Sequence, residues 1–596
     1  MVYTSKHSTP SGSLVGTIAR WDPETGESSE PMTVFSRQEV YVGRDPRKCQ
    51  YVINDPFVSN THLCIYTVIF DQDNPGDVAP LVYAQDISMN GSLWNEYRMG
   101  NGRSSCLLSD GDVLRLSEGV YLRYHSVDYI QANGFTVLQA IEMKTFAHEY
   151  VVTRRKLGSG AYGQVHMAFK RSTGQQFACK IIDLLAVKRR LAQEGEARHA
   201  QAYNKNITAK MRDSYVKFQL QEKLEQYHRE AKILETLQHP NIIGLEKVIT
   251  SGNTIYMFQD LLTAGDLFSY IQYKGGKLPD IEAAVIVRQI VIALDYLHDK
   301  NIVHRDLKPD NILMTSRADG CRVVLTDFGC ATFVDPISNR MSTLVGTLEF
   351  SAPEVIGRSD KGYTKAADLW SLGCLTAILL TGEPLFDNIP KGCATDGHRL
   401  AVIEHLKVKL DRNKVGERAQ DFVFRLLKHD VSQRMDVKQA LKHSWFTNPS
   451  HKYDFEALYQ RSIRDWTPRI AKEPRIVGLD HYVGPHYSSQ QSQSSTVSRT
   501  KSTKHTRDPY IKSENCSQRV PTSPSLADET DDEQSNASIF ERAMAVARSG
   551  NNNKTGRKRS HSSPDKVEDE VYEEVHNPVT GKRQHLIYGA RAGKIF

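Results

Sequence analysis

What the chain lacks narrows it first. Its nine cysteines, from Cys49 to Cys516, stand apart with no Cys-x-x-Cys pair, so spacing provides neither a zinc knuckle nor a dithiol redox centre. A scattered set of this kind belongs to a reducing compartment. No uncharged apolar run reaches the roughly 18 residues of a membrane span; the most apolar stretch, "AAVIVRQIVIAL", is broken by Arg288 and Gln289. The opening "MVYTSKHSTPSGSLVG" holds no apolar core of signal-peptide length. A net charge of +6 over 596 residues is too small to argue for nucleic acid. No internal repeat is visible. These absences predict a protein of the nucleus, also cytoplasmic, with neither a membrane nor a direct nucleic-acid partner.

What is present divides the chain into three. Residues 14–135 carry short runs rich in Val, Ile, Tyr and Thr, such as "EVYVG" and "HLCIYTVIF", separated by Gly, Asp, Asn and Pro, which predicts an all-β sandwich. Residues 150–446 open with strand-like segments and pass into helix; at 280–299, "DIEAAVIVRQIVIALDYLHD" has apolar residues at spacings of three and four. Residues 447–596 shift towards Ser, Thr, Gln, Asn and charge, and are expected to be a mostly disordered regulatory tail.

The middle region carries the chemistry. "LGSGAYGQV" at 157–165 is a Gly-x-Gly-x-x-Gly loop, in which glycines let backbone approach phosphate. After it come Lys180 in "FACK", Asp306, Lys308 and Asn311 in "HRDLKPDN", Asp327 in "DFG" and Glu354 in "APE". Phosphoryl transfer leaves the protein little covalent work, so catalysis consists of aligning phosphates and neutralising their charge. Ordered this way, the motifs resemble the eukaryotic Ser/Thr protein kinases over 150–446, and imply a bilobal α+β fold using ATP and Mg2+.

That resemblance implies roles residue by residue. Leu157, Gly158, Ser159, Gly160, Gly163, Val165, Asp260 and Leu262 would line the nucleotide site. Lys180 would hold the α- and β-phosphates, braced by Glu230. Asn311 and Asp327 would ligate the metal. Asp306 would orient the substrate hydroxyl and accept its proton, with Lys308 beside the transferring group. His304 is assigned to packing under the catalytic loop, and Arg434 to pairing with Glu354. Thr343 is the expected activating phosphosite, its phosphate pairing with Arg305, and Thr347 is expected against the catalytic loop. The "GDLFSYI" and "KHSWF" blocks look most like the calmodulin-dependent-kinase group, in which Asp266 and Asp310 would favour substrates with Arg three residues before the target Ser or Thr.

Two features depart from the family pattern. Lys180 and Glu230 are 50 positions apart, about twice the usual spacing, with an insertion at about 185–222 rich in helix formers and expected to be solvated. Gln259 stands where relatives commonly place an apolar gatekeeper.

Upstream, Gly43-Arg44, then Ser59-Asn60-x-His62, then Asn90-Gly91 resemble the ordered signature of forkhead-associated (FHA) domains. The resemblance implies a phosphothreonine pocket in which Arg44 supplies a guanidinium fork, Ser59 a hydroxyl, and Asn60 and Asn90 contacts to peptide backbone, with His62 bracing the loop. The tail contains Ser489-Gln490, Ser492-Gln493 and Ser517-Gln518, which resemble targets of an upstream Ser-Gln-directed damage kinase, and a basic "KTGRKRS" that reads equally as a nuclear import signal or a solvated cluster.

An FHA domain ahead of such a kinase resembles the effector kinases of the DNA-damage checkpoint and their meiotic recombination relatives. It implies docking on a phosphothreonine-containing adaptor or on another copy of itself, with transient homodimers phosphorylating in trans. Mitotic and meiotic roles stay open from sequence, and the competing reading is a phosphopeptide-binding scaffold with an inert kinase fold.

Overall fold

The computed structural model describes residues 12–69, 78–99, 104–127, 134–160, 163–201, 209–334, 347–356, 364–386, 396–470 and 473–483. Thr343, the Ser-Gln dipeptides and the basic cluster lie outside them. No described helix is long and apolar enough to cross a membrane.

The N-terminal unit is a two-sheet sandwich. One sheet has six strands, with Val120–Ser126 and Val113–Ser117 at its centre and Leu14–Trp21 beside them. The other has five, with Leu63–Val68 between Val40–Gly43 and Leu81–Asp86. Val15, Ile18, Val34, Val42, Leu63, Ile65, Leu114 and Leu122 fill the space between them and are nearly free of solvent. The strand Leu63–Val68 is buried at every position. Side chains alternate between faces of a strand, so this sheet is covered on both sides, and the second cover is the kinase-like region.

Thr136 begins the linker helix Val137–Phe146 with a capping box to Gln139. Next comes the sheet of the smaller lobe, in the order Tyr150–Gly160, Gly163–Lys170, Gln176–Asp183, Thr254–Asp260, Leu245–Thr250, Ile476–Gly478. The larger lobe is helical. Its helix Asp280–Asp299 spans the residues whose periodicity predicts it and is buried over most of its length; Ala366–Thr381 is likewise buried around Trp370. The helical part of the insertion is as expected, but it is no detached excursion. Helix Leu184–Gln201 is followed by the 28-residue helix Ala209–Thr236, which carries Glu230 near its far end. Val216, Leu220 and Leu224 of the extension pack against the core, so the insertion lengthens the bracing helix itself.

The sequence-based expectation of a mostly disordered tail from 447 onwards is corrected for its first part. Helix Lys452–Ile463 packs on the larger lobe through Phe455 and Leu458. The chain then passes the back of the hinge, where Arg469 pairs with Asp260 and lies 3.6 Å from Glu246. Ile476–Gly478 finally adds a parallel edge strand, Val248 opposite Ile476 and Thr250 opposite Gly478. An otherwise unpaired edge is thereby covered.

Candidate active site and phosphate-reading loops

The glycine-rich loop joins the first two strands of the smaller lobe. Gly163 is required by contact: a Cβ there would stand 2.4 Å from the Ile181 carbonyl oxygen. Lys180, on the third strand, reaches across to the long helix, with its ammonium 2.8 and 3.0 Å from the two Glu230 oxygens and 3.8 Å from Asp327. Burial works against the charge on Lys180, but the two carboxylates outweigh it and hold the pKa above the ordinary lysine range. Gln226, one helical turn before Glu230, donates to the Gly329 carbonyl at 2.6 Å, tying the helix to the Asp-Phe-Gly segment.

The catalytic loop is held from beneath. Asp368 is fully buried; its oxygens accept from the backbone N–H groups of His304 and Arg305 at 3.0 and 2.9 Å, and it pairs with His298 at 2.9 Å. His304 stacks edge-on to Phe328 and hydrogen-bonds the Thr326 carbonyl, a packing role. Sequence reasoning missed Asp368; the available signal was an acid inside the apolar run "AADLWSLG".

Asp306 lies at the centre. One carboxylate oxygen accepts from the Thr347 N–H and hydroxyl at 2.9 and 2.8 Å. The other accepts from the Asn311 amide at 2.9 Å and lies 3.3 Å from Lys308. Burial alone would raise the Asp306 pKa; Lys308 and the Thr347 hydrogen bond outweigh it and keep the group below the usual carboxylate range. Lys308 also donates to the Thr347 hydroxyl at 2.9 Å. Because the Asn311 nitrogen is committed to Asp306, its amide oxygen remains to face a cation. Asp327 is held in a left-handed conformation at φ 57° with about a third of its carboxylate open. Two hard oxygens fit a small divalent ion whose remaining ligands are phosphate and water. Among the described residues no cluster of three His, Cys, Asp or Glu side chains forms a metal site.

Gln259, Asp260 and Leu262 follow one another into the hinge, Gln259 half-buried with its amide 3.5 Å from the Met257 sulfur. Asp310 is half-exposed. Asp266 is 4% exposed and caps the helix Leu267–Tyr273 through the Ser269 N–H at 2.7 Å, so it has a local structural task that its motif position does not reveal. Arg434 is fully buried and grips both Glu354 oxygens at 2.7 and 3.0 Å.

At the other site, Gly43 lets two loops meet, since a Cβ there would fall 2.4 Å from the Asn60 carbonyl. Arg44, Asn60 and Asn90 are exposed and Ser59 is half-buried. The loops are pinned together: Arg44 N–H to the Ser59 carbonyl at 3.0 Å, Met89 N–H to the Ser59 hydroxyl at 3.2 Å, and the Asn90 amide to the Phe57 carbonyl at 3.4 Å. His62 is buried, and its Nδ1 accepts from the Ser59 N–H at 3.0 Å. The neighbouring Asp45 is engaged by Arg47 at 3.2 Å, and the Arg44 side chain is exposed beside it.

The protein kinase domain family matches residues 194–446 and the FHA domain family residues 40–117. Together with the geometry, these define a serine/threonine protein kinase with a phosphothreonine-reading domain. The meiosis-specific serine/threonine-protein kinase mek1 of Schizosaccharomyces pombe is 34% identical over 450 residues, covering 73% of this chain and 88% of its own. MEK1 of Saccharomyces cerevisiae is 32% identical over 470 residues, with 73% and 86% covered. The serine/threonine-protein kinase cds1 of S. pombe is 25% identical over 418 residues. A crystal structure of Rad53 1–466 with AMP-PNP aligns at 26% identity and a TM-score of 0.37, over 72% of this chain and all of that one. The chain belongs to the FHA-containing serine/threonine kinases that include the Mek1 enzymes.

Proposed function

We propose that this kinase transfers the γ-phosphoryl group of magnesium-bound ATP to Ser or Thr in proteins bearing Arg three residues upstream, within the meiotic recombination or DNA-damage checkpoint of the nucleus. The observation that supports the reading is the Asp306–Lys308–Thr347 triangle, in which Asp306 also accepts from Asn311 of the same loop, together with the Lys180–Glu230 pair, whose ammonium lies 3.8 Å from Asp327. Asp306, ionised and aimed by the Thr347 and Asn311 donors, would orient the hydroxyl and take its proton. Lys308 would neutralise charge on the transferring group. Asn311 and Asp327 would hold magnesium, which when bound offsets phosphate charge. Leu157, Val165, Asp260 and Leu262 would enclose the adenine, and the loop glycines with Ser159 the phosphates. Asp310 would be the more exposed acid for the substrate Arg, with the buried Asp266 as the second.

The FHA domain would dock through Arg44, Ser59, Asn60 and Asn90 on phosphothreonine created by an upstream Ser-Gln-directed kinase, on an adaptor or on a second copy. Two copies held together would then phosphorylate Thr343 in trans. An inert scaffold would be expected to lack one of these catalytic groups; the presence of all of them in the sequence, and the Lys180–Glu230 and Asp306–Lys308 contacts, favour the active reading. The test is transfer of labelled phosphate from magnesium-ATP to an Arg-x-x-Ser/Thr peptide. Transfer by wild type and its loss in Asp327→Ala is the expected result; no transfer by wild type phosphorylated on Thr343 would overturn the reading.

A further inference from the structure

The outer face of the five-stranded FHA sheet is as apolar as its inner face. Cys64, Tyr66 and Val68 alternate with the core-facing Leu63, Ile65 and Thr67, and pair across the sheet with Gln85, Tyr83 and Leu81. All three are under 9% exposed. A sandwich on a flexible tether would carry polar residues there.

What covers this face belongs to both kinase lobes. On the smaller lobe, Phe169 meets the adjoining edge of the six-stranded sheet, beside Trp94 and Tyr97 with ring centroids 5.6 and 6.1 Å away. Gln176 exchanges two hydrogen bonds, 2.8 and 3.0 Å, with the backbone of Leu107. Gly174, at φ +71°, lies so close under Tyr97 that a Cβ would stand 2.2 Å from the ring. At the hinge, the Tyr66 hydroxyl donates to the Thr263 carbonyl at 3.2 Å. On the larger lobe, Arg317 lies between the rings of Tyr66 and Tyr273, 5.5 and 5.0 Å from their centroids, and donates to the Thr67 carbonyl. The apolar cluster formed here runs from the FHA core through Leu157 and Met167, and Val165, Ala178 and Leu261 pack against it. Two of these, Leu157 and Val165, are assigned above to the nucleotide site.

We propose that the FHA sandwich is a fixed tie between the kinase lobes that closes the hinge side of the nucleotide pocket, so that ATP affinity depends on its docking. Phe169, Gln176, Tyr66 and Arg317 are positioning residues: they hold the lobe angle at which Leu157 and Val165 meet the hinge. An apolar interface satisfied by hydrogen bonds at both ends holds two domains in one arrangement, and a pocket held in its binding geometry spares the ligand that ordering cost. The inference rests on the nucleotide-site assignment made under Proposed function.

The experiment compares full-length wild type, Phe169→Glu and Tyr97→Glu, which break the same contact from opposite sides; the second leaves the kinase sequence untouched should the first impair folding. Small-angle scattering reads domain separation, phosphothreonine-peptide binding reports an intact sandwich, and KM for ATP is measured at saturating peptide substrate. Expected are separated domains, retained phosphopeptide binding, and a KM raised by about fivefold or more with a smaller change in kcat. Separated domains with an unchanged or lower KM overturn the proposal, as do domains that stay together in both variants. Absence of transfer in wild type would instead defeat the nucleotide-site reading itself.

Discussion

Lys180 and Glu230 close an ion pair at 2.8 Å across a separation of 50 residues. The long helix achieves this by extending backwards over the insertion rather than by moving its bracing residue. The pair fixes the ammonium where phosphate is expected, so the isosteric Glu230→Gln should lower kcat/KM by about a hundredfold, the scale of losing one preorganised electrostatic contact. Peptide phosphorylation checks it, with circular dichroism confirming an unchanged fold.

Arg44→Ala should weaken phosphothreonine-peptide binding by about a hundredfold, equivalent to two charge-assisted hydrogen bonds. His62→Ala should cost about tenfold although it touches no phosphate, because its Nδ1 holds the Ser59 N–H. Fluorescence anisotropy with a labelled phosphopeptide distinguishes the two.

Arg434 has no exposed side chain, and Glu354 only 13%. Arg434→Met would leave a buried carboxylate uncompensated and should destabilise the kinase by about 3–5 kcal/mol. Replacing both partners, Arg434→Met with Glu354→Leu, should recover part of that loss. Urea denaturation of the two variants measures the difference.

Stability should fall with acidity through His239. Burial pushes its pKa down to about 4, and its Nδ1 accepts from the Asn241 N–H at 3.1 Å, which requires a neutral ring. In the unfolded chain the same ring takes a proton near 6.5. Its contribution is therefore complete above about pH 6.5 and is lost as pH falls towards 4, by about 2 kcal/mol at pH 5. Urea midpoints at pH 7.5 and 5 should differ more in wild type than in His239→Gln.

Both domains and most of the catalytic groups were legible because their motifs are contiguous and each demands a particular side chain at a particular offset. The strap at 451–483 was not. Its few buried apolar residues, Phe455, Leu458, Val477 and Tyr482, include two whose partners are over 200 positions upstream, Val477 opposite Ile249 and Tyr482 against Phe146, and nothing local marks Ile476–Gly478 as a strand until Leu245–Thr250 offers it an edge. Asp266 and Asp368 were hidden differently: one reads by resemblance as a substrate-facing acid and the other as a stray charge, and only burial reveals the backbone N–H groups that occupy them. The covered sheet did leave a trace, since "HLCIYTVIF" does not alternate as a half-exposed strand should.

The strap also brings the end of the kinase fold back to its beginning. Tyr482 lies 6.1 Å from Phe146 of the linker helix and donates to Glu149 at 3.1 Å. The catalytic domain is thus a closed loop whose clasp lies far from the cleft. Pulling between the FHA domain and the sequence beyond Val483 would load that clasp and the FHA contacts to Gln176, Thr263 and Arg317 together.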